Sequence, residues 1–411
     1  MGRWNNQAGP LAGFASGILL MLPGMVPVLA PVQVFAFVPL LFALRSSRRW
    51  RDCLHAGFLI GLGFIAPQLL WPMWGTAQSL VRCWSWYPGV IAFTSVTGAA
   101  GLIFVLGATQ ALAVNAILNR GQRAASIMSL AGVLAMVVVA DAAVLSRKSV
   151  GQLKVATIGW ALTPEEGGMG TSGAFDRLYA EPVAEAARQG ARLVVSPETA
   201  FAEHDDPDRN AFSKFTELAR LHDVYLAVGY LDTKSQENRV AVITPSGDVA
   251  ARYAKTHLTP FENNPTGTGR PTVVTIDGVA VGAMICHDDN YTDISRRYGN
   301  QPAGIVVVPT NDWLSVRKAH FQSSIHRAIE SRFAMVRAAS NGISAVISAT
   351  GERLAVSDHF SGGPGLLVAA VEVYDVRTPF SRFGNWFVVL SGVFVAVHSI
   401  LSLSFRRRVH T

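Results

Sequence analysis

Cysteine is scarce in this chain. Its 411 residues hold three, Cys53, Cys83 and Cys286. No two of them form a CxxC pair, which argues against structural zinc. Charge is scarce as well: 15% of the residues are charged and half are hydrophobic, with a mean hydropathy of +0.30. Such a balance excludes an ordinary soluble protein. The net charge is +7, yet no RNA- or DNA-binding motif accompanies it. The basic excess therefore points to an anionic membrane surface, not to nucleic acid. No small-residue cleavage site leads into a soluble segment, so the first apolar stretch does not read as a cleavable signal peptide.

What the chain has in abundance is long apolar runs. They dominate residues 8–145 and 383–404, whereas 150–378 has mixed composition. A bilayer crossing needs about 20 apolar residues. Candidate spans are 11–22, 25–44, 54–74, 90–118 and 124–145 before the mixed segment, and 383–403 after it. One helix over 11–44 would be about 50 Å long, too long for one crossing. Pro23, Pro27 and Pro31 instead predict a helical hairpin or a re-entrant pair. Arginines cluster at 45, 48, 49 and 51, at 120 and 123, and at 406–408. An even number of spans separates these clusters, so all fall on one side, the cytoplasmic one. The mixed segment then lies outside, although Arg147 and Lys148 go against the rule. Trp71, Trp74, Trp84, Trp86 and Tyr87 fit an aromatic interface belt, with packing inside the bundle as the alternative.

The chain thus divides into a membrane bundle (1–149), an outer domain (150–378) and a last span with a basic tail (379–411). Within the outer domain, short Val/Ile-rich runs bounded by Gly, Pro or Asp predict strands. They lie at 154–160, 192–196, 224–230, 240–244, 273–276, 279–285, 305–309, 344–348 and 366–373. Helical spacing predicts helices over 173–189, 208–222 and 317–339. Pro245-Ser-Gly-Asp248 closes a hairpin. The alternation argues a layered α/β fold.

Three residues at the ends of such strands carry possible chemistry. Cys286 ends the run Val279-Ala-Val-Gly-Ala-Met-Ile285, Glu198 follows Val194-Val-Ser-Pro197, and Lys255 follows Arg252-Tyr-Ala254. Acyl transfer by a thiol needs a nucleophile, a base for its proton, and a cation or amides for the oxyanion. Each residue alone is weak; a lone Cys after an apolar strand usually packs as a small hydrophobe. His287, Asp288 and Asp289 look like metal ligands, but adjacent residues cannot easily converge on one ion, so hydrogen bonding near the cysteine is expected and neither metal nor cofactor. Arg327 and Glu330 read as a helix-surface pair. The loop 263–269 reads as either a lid or plain surface.

Local strings sharpen this. Pro197-Glu198, Lys255-x-His-Leu-x-Pro-Phe261 and Ile285-Cys286 resemble, in order, the three signature segments of the nitrilase (carbon–nitrogen hydrolase) superfamily. Asn311-Asp-Trp313, Arg327-Ala-Ile-Glu330, Arg337 and Asn341-Gly-Ile-Ser-Ala345 resemble the later segments of its apolipoprotein N-acyltransferase branch. The resemblance implies a nitrilase-like αββα sandwich inserted between transmembrane helices of the bacterial inner membrane, facing the periplasm. It implies Cys286 as nucleophile, Glu198 as base and Lys255 as oxyanion holder, with no cofactor. A phospholipid acyl chain would pass through a thioester to the N-terminal amine of a lipoprotein. Glu262, His287 and Trp313 are candidates for supporting or substrate-binding roles. Departures exist: the branch has Tyr-Glu where His287-Asp288 stands, and Pro-Phe-Gly-Glu where Pro260-Phe-Glu262 is one residue shorter. Fewer spans precede the domain than in the branch. A membrane-anchored amidase, with water resolving the thioester, is the alternative. A binding module without activity is a third reading, and the intact Glu198, Lys255 and Cys286 argue against it.

Overall fold

A computed structural model describes residues 8–44, 80–160, 175–203, 211–301 and 303–387, with 389, 390 and 393. Among the described residues, helices α1 (Ala8–Met25), α2 (Val38–Leu44), α3 (Thr94–Thr97), α4 (Ala99–Leu118) and α5 (Arg123–Leu145) come first. Then follow β1 (Gly151–Ile158), α6 (Glu181–Arg188), β2 (Leu193–Val195), β3 (Phe201–Glu203), α7 (Ala211–His222), β4 (Tyr225–Asp232), β5 (Asn238–Ile243) and β6 (Val249–Ala254). The second half adds β7 (Val273–Ile276), β8 (Val279–Ala283), α8 (Thr292–Asn300), β9 (Ile305–Asn311) and α9 (Arg317–Ser331). It ends with β10 (Ala334–Ser340), β11 (Ile343–Ile347), β12 (Arg353–Asp358), β13 (Leu366–Val373) and α10 (Pro379–Phe383).

The strands form two sheets. One runs β13-β1-β2-β4-β5-β6 with β3 added on β4, and the other runs β12-β11-β10-β9-β8-β7. Period-two alternation explains the layering. In β1, Leu153 and Val155 join a core shared with Val281, Ile305 and Val336 of the other sheet. Their neighbours Ala156 and Ile158 face a second core with Val183 of α6 and Phe215 of α7. A third core lies outside the second sheet, where Ile325 and Ile329 of α9 meet Trp84, Ile91, Phe93 and Leu102. Helix, sheet, sheet and helix thus stack as the αββα sandwich the sequence pattern implied. Each fully buried Val or Ile contributes roughly 1.5–3 kcal/mol.

The helix expected over 317–339 stops at Ser331. Arg332 turns left-handed there, with φ of 58°, and Ala334–Ser340 becomes β10, paired in parallel with β9. Every residue of β10 is buried. An apolar run buried on both faces has no period that distinguishes strand from helix. The Arg327–Glu330 surface pair is also corrected: both residues are buried. Segment 82–97 covers this face of α9, and Glu330 accepts a hydrogen bond from the Ala99 amide.

Of the predicted spans, 54–74 and most of 383–403 fall outside the described residues. Among the described residues, Ala99–Leu118 and Arg120–Leu145 are long and apolar enough to cross a membrane. The first apolar stretch breaks as its prolines predict, into α1, a 3-10 turn over Pro27–Phe35, and α2. Trp84 is buried and donates to Gln33 Oε1 at 3.0 Å, so it packs inside, whereas Trp86 is exposed and Trp71 and Trp74 lie outside the described residues.

Candidate active site

Cys286 occupies a left-handed backbone position, φ 44°, between the end of β8 and a 3-10 turn over Cys286–Asn290. Such a conformation costs a non-glycine residue roughly 1–2 kcal/mol and persists only where the surroundings impose it. Asp288 imposes it here. Its Oδ1 accepts from the Thr256 and His257 amides at 3.1 and 2.7 Å. Its Oδ2 accepts from Tyr253 Oη at 2.8 Å and the Ile285 amide at 3.1 Å. One fully buried carboxylate therefore ties the turn after β8 to the chain leaving β6. Burial raises its pKa to about 6, against the pull of these donors.

Strands β2, β4, β6, β8 and β9 deliver their carboxyl ends to one edge of the sandwich, where open α/β sheets commonly bind ligands. Glu198 lies three residues past β2, and Lys255 lies one past β6. Lys255 Nζ donates to Glu198 Oε1 and to Glu262 Oε1, each at 2.7 Å. Glu198 Oε1 also accepts from Asn238 Nδ2 at 2.7 Å, and Oε2 accepts from the Asn311 amide at 2.8 Å. The Cys286 thiol lies 3.7 Å from the carbonyl of the same Asn311. One backbone residue thus holds the carboxylate on its N–H side and the thiol on its C=O side. Gly229 makes room for this loop. A Cβ there would stand 2.4 Å from the Pro197 carbonyl oxygen and 2.8 Å from Glu198 Cα.

The electrostatics follow from burial. Lys255, Glu198 and Cys286 are 1%, 5% and 4% exposed, so a charge on any of them acts on the others with little screening. Burial alone disfavours the Lys255 ammonium, but Cys286, Glu198 and Glu262 outweigh it and hold its pKa above the usual lysine range. The Cys286 thiol is pushed well above its usual range, by burial first and the Glu198 charge next, while Lys255 pulls the other way. The thiol thus rests neutral, close to a carboxylate that shares Asn311 with it. Glu262 is half-buried and its pKa is lowered. Burial acts to raise it, but the Lys255 charge and the Thr259 amide prevail. It is thus engaged with Lys255, not a solvated loop acid.

A cavity of about 230 Å³ opens over Cys286. Pro260, Phe261, Trp313, Val316 and Ala319 give it apolar walls, and Arg82, His287 and Asn290 give it polar ones. Trp313 meets Phe261 edge to face at 6.4 Å. His287 pairs with Asn290 at 3.0 Å, and burial lowers its pKa to about 4, leaving a neutral imidazole at the cavity. The loop 263–269 is pinned beside the site, with the Gly267 amide on the Lys255 carbonyl at 2.7 Å.

Residues 175–378 match the carbon–nitrogen hydrolase family. The chain belongs to that family. It is 26% identical over 245 residues to an apolipoprotein N-acyltransferase of Geobacter metallireducens, covering 53% of this chain and 46% of the relative. It is 30% identical over 119 residues to an (R)-stereoselective amidase of a Pseudomonas species, covering 28% of this chain and 43% of that one. The chain spans about half the length of the curated relatives it matches. A solved amidase of the nitrilase superfamily from Nesterenkonia aligns with a TM-score of 0.48 at 19% identity, over 58% of this chain and 96% of its own.

In this carbon–nitrogen hydrolase, a buried ionic network backs the cysteine turn. His320 of α9 meets Asp312 Oδ1 at 2.6 Å through Nδ1 and the Cys286 carbonyl at 3.1 Å through Nε2. Nε2 also lies 2.8 Å from Asp289 Oδ1. Arg337 donates to Asp289 Oδ2 at 2.9 Å and Asp312 Oδ2 at 2.6 Å. Cys286, Asp312 and His320 bring ligand-type atoms within 4.8 Å of one another. Their partners account for the convergence, because Asp312 spends both oxygens on His320 and Arg337. Sequence reasoning put His320 on a helix without a role, and Asn238 drew no notice. Only the fold brings either to the site.

His320 sets a pH dependence. Burial acts to lower its pKa, but Asp289 and Asp312 outweigh burial and Arg337, raising it from 6.5 to about 9. A group whose folded pKa is raised stabilises fully below its unfolded pKa, and the contribution is lost as pH rises through the folded value. Thermal unfolding in detergent is therefore expected to show a stability loss on the order of 3 kcal/mol between about pH 6.5 and 9. His320→Gln is expected to remove this component. An unchanged slope in the variant would show that His320 is not the titrating group.

Proposed function

We propose that this protein is a membrane-bound N-acyltransferase. It moves an acyl chain from a phospholipid through a Cys286 thioester to the N-terminal amine of a lipoprotein. The observation that carries this reading is a cavity lined by both Cys286 and Arg82 of the apolar N-terminal part, with the Glu198–Lys255 pair joined to the cysteine through Asn311. A reacting group in that cavity touches both the outer domain and the region next to the spans. α5 supports the membrane setting: Met128, Met136, Val138 and Val139 are each more than 60% exposed. Apolar side chains turned outward along a whole helix suit lipid. With the arginine clusters, this supports a multi-pass inner-membrane protein with residues 150–378 on the periplasmic side, between the bundle 1–149 and the segment 379–411.

The chemistry runs in two halves. Glu198 takes the thiol proton as Cys286 sulfur attacks the ester carbonyl of the donor. Lys255 faces the oxyanion, and Glu262 and Glu198 keep its ammonium in place. The intermediate collapses, the lysolipid alkoxide leaves with the proton from Glu198, and the thioester remains. The acceptor amine then attacks that carbonyl, Glu198 takes the amine proton, and the thiolate leaves and is reprotonated. Phe261 and Trp313 flank the acyl chain, and neutral His287 is available to hydrogen-bond the entering group.

The match to the stereoselective amidase favours a second reading, in which water replaces the amine. Mass spectrometry of lipoprotein N-termini from cells with and without the protein distinguishes the two. Acyltransfer predicts N-acylated termini only when the protein is present. Identical termini in both strains would sink this function and favour hydrolysis.

A further inference from the structure

Arg82 enters the cavity from outside the hydrolase fold. It opens the short turn Arg82–Trp86, which His326 of α9 fixes through the Arg82 carbonyl at 3.2 Å. The residue is 8% exposed and lines the same cavity as Cys286. Among the described residues, no hydrogen-bond acceptor or ion-pair partner meets its guanidinium. The nearby acids are committed elsewhere: Asp289 and Asp312 to Arg337 and His320, and Glu330 to Arg327 at 2.8 Å. Burial lowers the Arg82 pKa to about 10, so it is still charged at neutral pH. A buried charge without acceptors is costly and rarely kept idle.

Resting on the acyltransferase reading, we infer that Arg82 receives the phosphate of the acyl donor while its ester carbonyl lies at Cys286. A phosphodiester is the anion that a glycerophospholipid carries a few bonds from its ester. The planar guanidinium fork suits two of its oxygens. The cavity's size fits that polar junction and the start of one chain, not a whole lipid. Arg82 would then select phospholipid over neutral acyl esters.

The test uses full-length protein in detergent and two donors, dioleoyl phosphatidylglycerol and dioleoylglycerol, the latter lacking phosphate. Acylation of Cys286 is timed by intact-protein mass spectrometry for wild type, Arg82→Gln and Arg82→Lys. Wild type is expected to prefer the phospholipid. Arg82→Gln is expected to cut that preference by about tenfold to a hundredfold, the range for one charged hydrogen-bonding partner. Arg82→Lys is expected to restore part of it. A misfolded variant would slow both donors and leave the ratio unchanged, so an unchanged ratio overturns the proposal. Equal wild-type rates for the two donors overturn it as well. No acylation of wild type by either donor would instead overturn the acyltransferase reading, and this inference with it.

Discussion

Replacing Cys286 by alanine is expected to abolish acyl transfer, a fall on the order of 10⁴-fold or more, with little loss of stability. Among the described residues lining the cavity, Cys286 alone offers a thiol, so no equivalent nucleophile takes over its step. Its contribution to the fold is small. It packs at the edge of the core between the sheets and makes one weak hydrogen bond, to the Asn311 carbonyl at 3.7 Å, and alanine inherits the same left-handed backbone. The lost contacts of one buried sulfur cost roughly 1 kcal/mol. The turn itself is held by Asp288, which the substitution leaves alone. Product assay and thermal unfolding in detergent check both halves. Residual transfer within a hundredfold of wild type would remove Cys286 from the chemistry.

Lys255→Met is expected to damage activity and stability together. The ammonium sits 2.7 Å from Glu198 and from Glu262. Without it, two carboxylates face each other at a site where Glu198 is almost fully buried. Breaking a buried pair from one side typically costs about 3–5 kcal/mol. A pair of like charges also relieves itself by taking up a proton, which would disable Glu198 as a base. The oxyanion loses its cation at the same time, worth about 10²–10³ in rate. Activity should thus drop at least about 10³-fold, with a clearly lower unfolding temperature. Adding Glu262→Gln is expected to recover part of the stability and none of the activity. A stable, active Lys255→Met protein would contradict both roles.

Much of the fold was legible because its signals are local. Short Val- and Ile-rich runs ending in Gly, Pro or Asp marked β1, β4, β8 and β9 within a few residues. Cys286 and Glu198 could be singled out because each follows such a run, and Lys255 because the string it opens resembles a signature segment. The failures share one cause, burial by segments distant in sequence. Ala334–Ser340 resembles helix until β9 pairs with it. Arg327 and Glu330 resemble surface until 82–97 covers α9. Asn238, His320 and Arg82 reach the site only through pairings of 40 residues apart (Asn238 with Glu198), of 34 (His320 with Cys286), and of 244 (His326 with Arg82). No local string announces such contacts. Asp288 is the intermediate case: hydrogen bonding was expected near the cysteine, but its grip on Thr256 and His257 requires β6 and β8 side by side.

The most direct measurement is to incubate the full-length protein with a phospholipid carrying a labelled acyl chain and to map the label by peptide mass spectrometry. The account predicts one acyl group on the peptide containing Cys286, released by neutral hydroxylamine as a thioester and consumed when an amine-bearing lipopeptide is added. Label on another residue, or none on Cys286 while acylated lipopeptide still accumulates, would contradict it.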